Sequence, residues 1–124
     1  MHINKFMHAS VISSDLQKTK AFYEDLLGLQ PSGSRPPMSF DGVWYDIGEQ
    51  KLHILCVTNP ETGVVRPVHG GRDRHIALGI SDLTELQQRL QRAGVTFTLS
   101  SSGRAALFCR DPDDNTLEFI QVDR

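Results

Sequence analysis

Four side chains able to bind a divalent metal stand at matching places of an internal repeat. The chain reads HASVISSDL from His8 to Leu16 and HIALGISDL from His75 to Leu83. Each copy has a histidine, a run of small and apolar residues, then Ser-Asp-Leu. Extending the repeat aligns LHIL (Leu52 to Leu55) with LEFI (Leu117 to Ile120), so His53 matches Glu118. Each copy thus offers one metal-competent group on its first strand and one on its last. Three imidazoles and a carboxylate suit zinc, nickel, cobalt, manganese or iron, with coordination positions left for water or substrate. A glutamate amid Leu, Phe and Ile is costly to bury charged unless it has a partner, which His8, His53 and His75 would supply through a shared cation. His2 and His69 match no repeat position and read as a terminal and a loop side chain.

Repeats fix architecture, so the elements that position these groups follow from the same alignment. KFMHASVI alternates, with Met7, Ala9 and Val11 on one face and His8 and Ser10 on the other, which predicts a strand. Ser14-Asp15 offers a helix N-cap. Leu16, Thr19, Phe22, Tyr23, Leu26 and Leu27 then recur at helical spacing up to Gly28, a C-terminal cap. Strands are expected near Val43 to Ile47 and Leu52 to Val57, joined by a turn at GEQ, with a weaker strand near Leu29 to Ser34 or Met38 to Phe40. The second copy predicts a strand over HIALGI and a helix from the N-cap Asp82, with Glu85 completing a capping box and Gly94 closing it. Further strands are expected over Val95 to Leu99, Ala105 to Cys109 and Thr116 to Val122. The chain therefore predicts two tandem βαβββ modules in one α+β domain, module one at about 1–57, a linker at 58–74 and module two at about 75–124. Each histidine-bearing strand has one apolar face for its helix, leaving the other to line a concave sheet interior.

Composition bounds the partners. The 124 residues are 39% hydrophobic and 23% charged, ordinary globular usage for one domain. A net charge of −2 with no basic run argues against nucleic acid and for a small-molecule partner. Cys56 and Cys109 each lie in an apolar run and read as buried free thiols, hence a reducing, cytoplasmic compartment. No apolar segment is long enough to predict a membrane span or a secretion signal. Arg104 and Arg110 are candidate anchors for an anionic substrate, and Trp44, Tyr45 and Ser10 candidate lining residues.

Three stretches carry a family resemblance: HASVISSDLQKTKAFYEDLLGL, RHIALGISDL and FCRDPDDNTLEFIQ. Together they resemble the vicinal oxygen chelate superfamily, which includes glyoxalase I, methylmalonyl-CoA epimerase, extradiol dioxygenases, fosfomycin-resistance transferases and bleomycin-resistance proteins. The resemblance implies a cupped mixed sheet with helices outside, frequently a homodimer, and ligand roles for His8, His75 and Glu118. Two departures stand out. Asp114 replaces the Gly of the family's Asp-Pro-Asp-Gly-Asn turn, a left-handed position that Asp tolerates. His53 stands where glyoxalase I has Glu and the epimerase Gln, so Glu118 is left as the one carboxylate, with His53 as a second acid or base. Around TLSSSGRAAL the chain also lacks the lysine of the fosfomycin transferases' potassium loop. The expected activity is that of a divalent-metal-dependent, glyoxalase-like lyase or isomerase on a substrate that chelates through neighbouring oxygens. An Fe(II) extradiol-type dioxygenase and a non-catalytic drug- or metabolite-binding protein are the alternatives.

Overall fold

A computed structural model describes residues 1–123. The chain divides into two compact units, Met1–Pro60 and Glu61–Arg124. In the first, β1 (His8–Ser13) pairs in parallel with β3 (Gln50–Cys56), which pairs antiparallel with β2 (Asp41–Ile47), giving the order β1-β3-β2. The GEQ turn is a two-residue hairpin, since Ile47 pairs with Gln50 across Gly48 at φ 57°. Between β1 and β2 lies the expected helix, with a difference in its second half. Asp15 caps α1 (Leu16–Lys20) by accepting from the Lys18 amide at 3.2 Å, as predicted. From Ala21 to Leu26 the chain is π-helical, and Leu27 N bonds Phe22 O at 3.0 Å. This wider turn ends at Gly28, φ 78°, and buries the consecutive rings of Phe22 and Tyr23. Tyr23 stacks on Tyr45 of β2 at 5.7 Å, and Tyr45 donates to Glu24 at 2.8 Å. Burial and the Glu24 carboxylate together hold the Tyr45 phenol well above its ordinary value.

The weakly marked strand after the helix is reduced to a single bridge, Pro31 to Tyr45. Pro31 cannot donate to a ladder; Ser32 N still donates to Trp44 O at 2.7 Å, but beyond it the side chains of Ser32 and Ser34 bond each other at 2.7 Å in a local turn.

The second unit keeps all four strands, in the order β4-β7-β6-β5: β4 (Ile76–Ile80), β5 (Phe97–Leu99), β6 (Ala106–Arg110) and β7 (Thr116–Gln121). α2 (Leu83–Arg92) buries Leu83, Leu86 and Leu90 and packs on β7. Asp82 caps it, accepting from the Glu85 amide at 2.9 Å, while the Glu85 carboxylate turns to Arg89 at 2.9 Å, so only half of the predicted capping box forms. Gln121 of β7 adds a cap that sequence did not suggest, its side-chain oxygen accepting from Leu83 N at 2.8 Å. The β6–β7 turn is closed by Asp111, which accepts from the amides of Asp113 and Asn115 at 2.9 and 3.0 Å, with Asp114 left-handed at φ 63° as expected. Both cysteines are free thiols. Cys56 is half-buried, whereas burial pushes the Cys109 thiol up to about 12, with the Asp111 charge adding to it.

Residues expected as linker fold onto this second sheet from Glu61 onward. They include a 3₁₀ turn, Gly70–Arg72. Gly70 is required there, because a Cβ would stand 2.8 Å from Phe108 Cβ and 2.9 Å from Thr116 Cγ2. Among the described residues no helix is long and apolar enough to cross a membrane.

Candidate functional site

In the first unit, strand register sets Ser10, His53 and Trp44 side by side on one sheet face, since Ser10 pairs with His53 and His53 with Trp44. The rings stack. Trp44 lies on His53 with centroids 3.8 Å apart and planes 2° from parallel, and His8 covers the other face of His53 at 3.9 Å and 12°. Burial holds His53 below the ordinary histidine value, and the charges of His8 and Lys51 push the same way. Imidazole lone pairs lie in the ring plane, so two parallel stacked rings direct them side by side. A shared ion would require one of the rings to turn.

The second unit places its two predicted ligands in direct contact. Glu118 pairs in register with Ala77 and with Phe108, so the small residue leaves room on its face and the ring walls it. Only 3% of Glu118 is exposed, in a strand whose flanking Leu117 and Phe119 are buried as well. Its Oε1 lies 3.2 Å from His75 Nε2, and its Oε2 accepts from Arg104 Nη2 at 2.9 Å. His75 falls just before β4 rather than within it, edge-on to Phe108 at 5.2 Å. Its Nδ1 lies 2.9 Å from the Asp73 carbonyl oxygen. A carbonyl can only accept, so Nδ1 carries the hydrogen. Nε2 then faces a carboxylate oxygen, and either a proton on that nitrogen or a cation between the two would join them. Two ligands of one zinc-sized ion, each at about 2.0–2.2 Å, stand roughly 3 Å from each other, which matches this pair. Among the described residues, no three His, Cys, Asp or Glu side chains gather where they could hold one metal ion.

A cleft of about 630 Å³ is lined by His69, Arg72, Ser100, Ser101, Ser102 and Arg104 among others, with Phe108 in its wall, and it meets Glu118 through Arg104. Arg104 lines it, its Nε donating to Ser102 Oγ at 3.2 Å and its side chain half exposed. His69 and Arg72 were not singled out by the repeat. They arrive with the 3₁₀ turn, where His69 accepts from Gly71 N at 3.0 Å through Nδ1 and leaves Nε2–H for Leu99 O at 3.1 Å. Arg110 proves not to be a free anion anchor. Its guanidinium is committed to Asp73 at 2.7 Å, to Pro67 O at 2.6 Å and to Thr116. A lone basic residue in sequence carries no mark of whether its partner is a ligand or the chain itself.

A profile described as the Glyoxalase/Bleomycin resistance protein/Dioxygenase superfamily matches residues 5–119. The chain is similar to lactoylglutathione lyase of Haemophilus influenzae, 25% identical with 94% of this chain and 92% of that protein covered. In fold it is similar to a variant of the fosfomycin resistance protein FosX from Listeria monocytogenes, complexed with Mn(II) and 1S,2S-dihydroxypropylphosphonic acid. There the TM-score is 0.73 and the identity 20%, over 97% of this chain and 93% of the other. An antibiotic binding protein from Streptomyces shares the fold at TM-score 0.71 and 24% identity, over 98% of each chain.

Proposed function

Because the chain belongs to the Glyoxalase/Bleomycin resistance protein/Dioxygenase superfamily and has its α+β fold, we propose that it is a divalent-metal-dependent, glyoxalase-like enzyme. The reaction is of lyase or isomerase type on a small substrate that presents two neighbouring oxygens. The observation that carries this reading is the His75–Glu118 pair, a buried carboxylate oxygen 3.2 Å from Nε2 of a ring whose Nδ1 is fixed by the Asp73 carbonyl. His75 and Glu118 would hold the cation. His8 and His53 are the further donors proposed from the repeat. A cation held there supplies Lewis-acid stabilisation of the negative charge that develops on vicinal oxygens.

The chain's own groups divide the remaining work. Glu118 Oε2, the oxygen turned toward Arg104, is the atom at which a proton beside a carbonyl is taken up and returned. Arg104 orients that oxygen and offers a half-exposed guanidinium to an anionic part of the substrate. The hydroxyls of Ser100, Ser101 and Ser102 give the cleft further donors. His53, held toward its neutral form, is a second proton acceptor, and Trp44 and Ser10 are its neighbours for substrate contact.

One observation favours a second reading, a binding protein without chemistry. The one acid of the proposed set is already neutralised by Arg104. Elemental analysis of the purified protein separates the two, together with an isomerase assay on the hemithioacetal of methylglyoxal and glutathione before and after chelation. The enzyme reading expects bound transition metal and an activity lost on chelation and regained with metal. A protein that takes up no metal and is indifferent to chelator would overturn it in favour of binding alone.

A further inference from the structure

We propose that Arg110, acting through Asp73, is the positioning residue that sets the tautomer and direction of His75; its bearing on metal binding rests on the reading above. Asp73 is held from every side. Arg110 Nη1 donates to Oδ2 at 2.7 Å, and Thr116 Oγ1 donates to the same oxygen at 3.2 Å. Oδ1 accepts from Arg74 N at 2.8 Å and faces Arg66 Nη1 at 3.4 Å, and the Asp73 amide donates to Gly70 O at 3.1 Å. With carboxylate and amide both fixed, the Asp73 peptide has little freedom left, and its carbonyl oxygen meets His75 Nδ1 at 2.9 Å. That contact obliges the hydrogen onto Nδ1 and leaves Nε2 for Glu118.

The same guanidinium reaches the other member of the pair. Arg110 pairs in register with Thr116 at the start of β7, two residues before Glu118, and also donates to its hydroxyl. Through Pro67 O at 2.6 Å it holds the incoming segment as well. One side chain thus ties the stretch that delivers His75 to the strand that delivers Glu118. Both lie on a mostly buried ion pair, the Asp73 side chain being 9% and the Arg110 side chain 23% exposed. Groups behind a metal-bound histidine fix its tautomer and ring orientation, and losing them weakens metal binding by about 10–100-fold.

Imidazole ¹⁵N–¹H correlation spectra of the metal-free full chain read the His75 tautomer, and zinc competition against a chelator reads affinity. The parent is expected to show the Nδ1–H form. Arg110→Met should mix the tautomers and weaken zinc by about 10–100-fold. Arg110→Lys, which can reach Asp73 but not Pro67 at once, should recover the Nδ1–H form and most of the affinity. A folded Arg110→Met with the parent's tautomer and zinc affinity overturns the proposal, as does a lysine variant that recovers neither. Should Arg110→Met fail to fold, Asp73→Asn decides by the same two signals, since it keeps the backbone carbonyl and loses the ion pair. A parent that binds no zinc defeats the metal reading alone, because the tautomer comparison still decides the role of Arg110.

Discussion

The two repeats put the same residue types at the same strand positions and hold them differently. In the first, His8 and His53 lie face to face with Trp44, held by ring contact alone in that stack. In the second, His75 is pinned through a backbone carbonyl and aimed at a buried acid that is pinned in turn by an arginine. A ring stack fixes a plane but leaves the direction within it open. A hydrogen bond to one nitrogen fixes where the other points. The lesson is that a repeat specifies location in the sheet, whereas readiness to bind an ion depends on what stands behind each ligand, and here only the second copy has that support built from its own unit.

The two units should differ most in what each loses with its last-strand ligand. Glu118→Ala should lower zinc affinity by at least about 100-fold, exceeding the ~10–100-fold range of outer-shell losses, while His53→Ala should cost clearly less. Titration against a chelator measures both, and a larger loss at His53 would reverse the ranking of the two units. A smaller effect of opposite sign is expected at Arg104. Its side chain is half exposed but its partner Glu118 is buried, and the guanidinium competes with a cation for that carboxylate. Arg104→Ala should therefore tighten zinc by about tenfold or more, because it leaves a buried carboxylate without this partner; weaker binding would mean the guanidinium assembles the site rather than opposing it.

Acid should act on the first unit through His53. His53 titrates below its ordinary value in the fold, so as pH falls through about 6.5 the unfolded chain takes up a proton that the folded chain resists. Stability of the metal-free protein should decline from there and level off below the folded value. His53→Phe should flatten that part of a denaturant-midpoint profile between pH 7 and 5, and an unchanged slope would place the titrating group elsewhere. The smallest effect belongs to Glu85. Since its carboxylate pairs with Arg89 rather than closing the capping box, Glu85→Ala should cost only about 0.3–0.5 kcal/mol, as for other i,i+4 helix pairs, with zinc binding unaltered. A melting shift matching a lost cap, roughly 1 kcal/mol, would restore the capping role.

Periodicity, caps and turn residues are local, and so most of the elements are legible in the chain's order: the strands bearing His8, His53 and Glu118, the helices capped by Asp15 and Asp82, and the left-handed Asp114. The repeat alone also sufficed to single out His75 and Glu118. What tertiary structure decided is everything that depends on distant backbone. Pro31 and Ser32 reach β2 only where Ser32 N finds Trp44 O, leaving the one bridge of Pro31 to Tyr45. His69 and Arg72 reach the cleft because Gly70 lets a 3₁₀ turn approach Phe108 and Thr116. Arg110 turned from expected substrate anchor to internal latch because Asp73, 37 positions away, met it first. No window of sequence short enough to show a pattern contains both partners of such a contact, and it is those partners that give a histidine its direction.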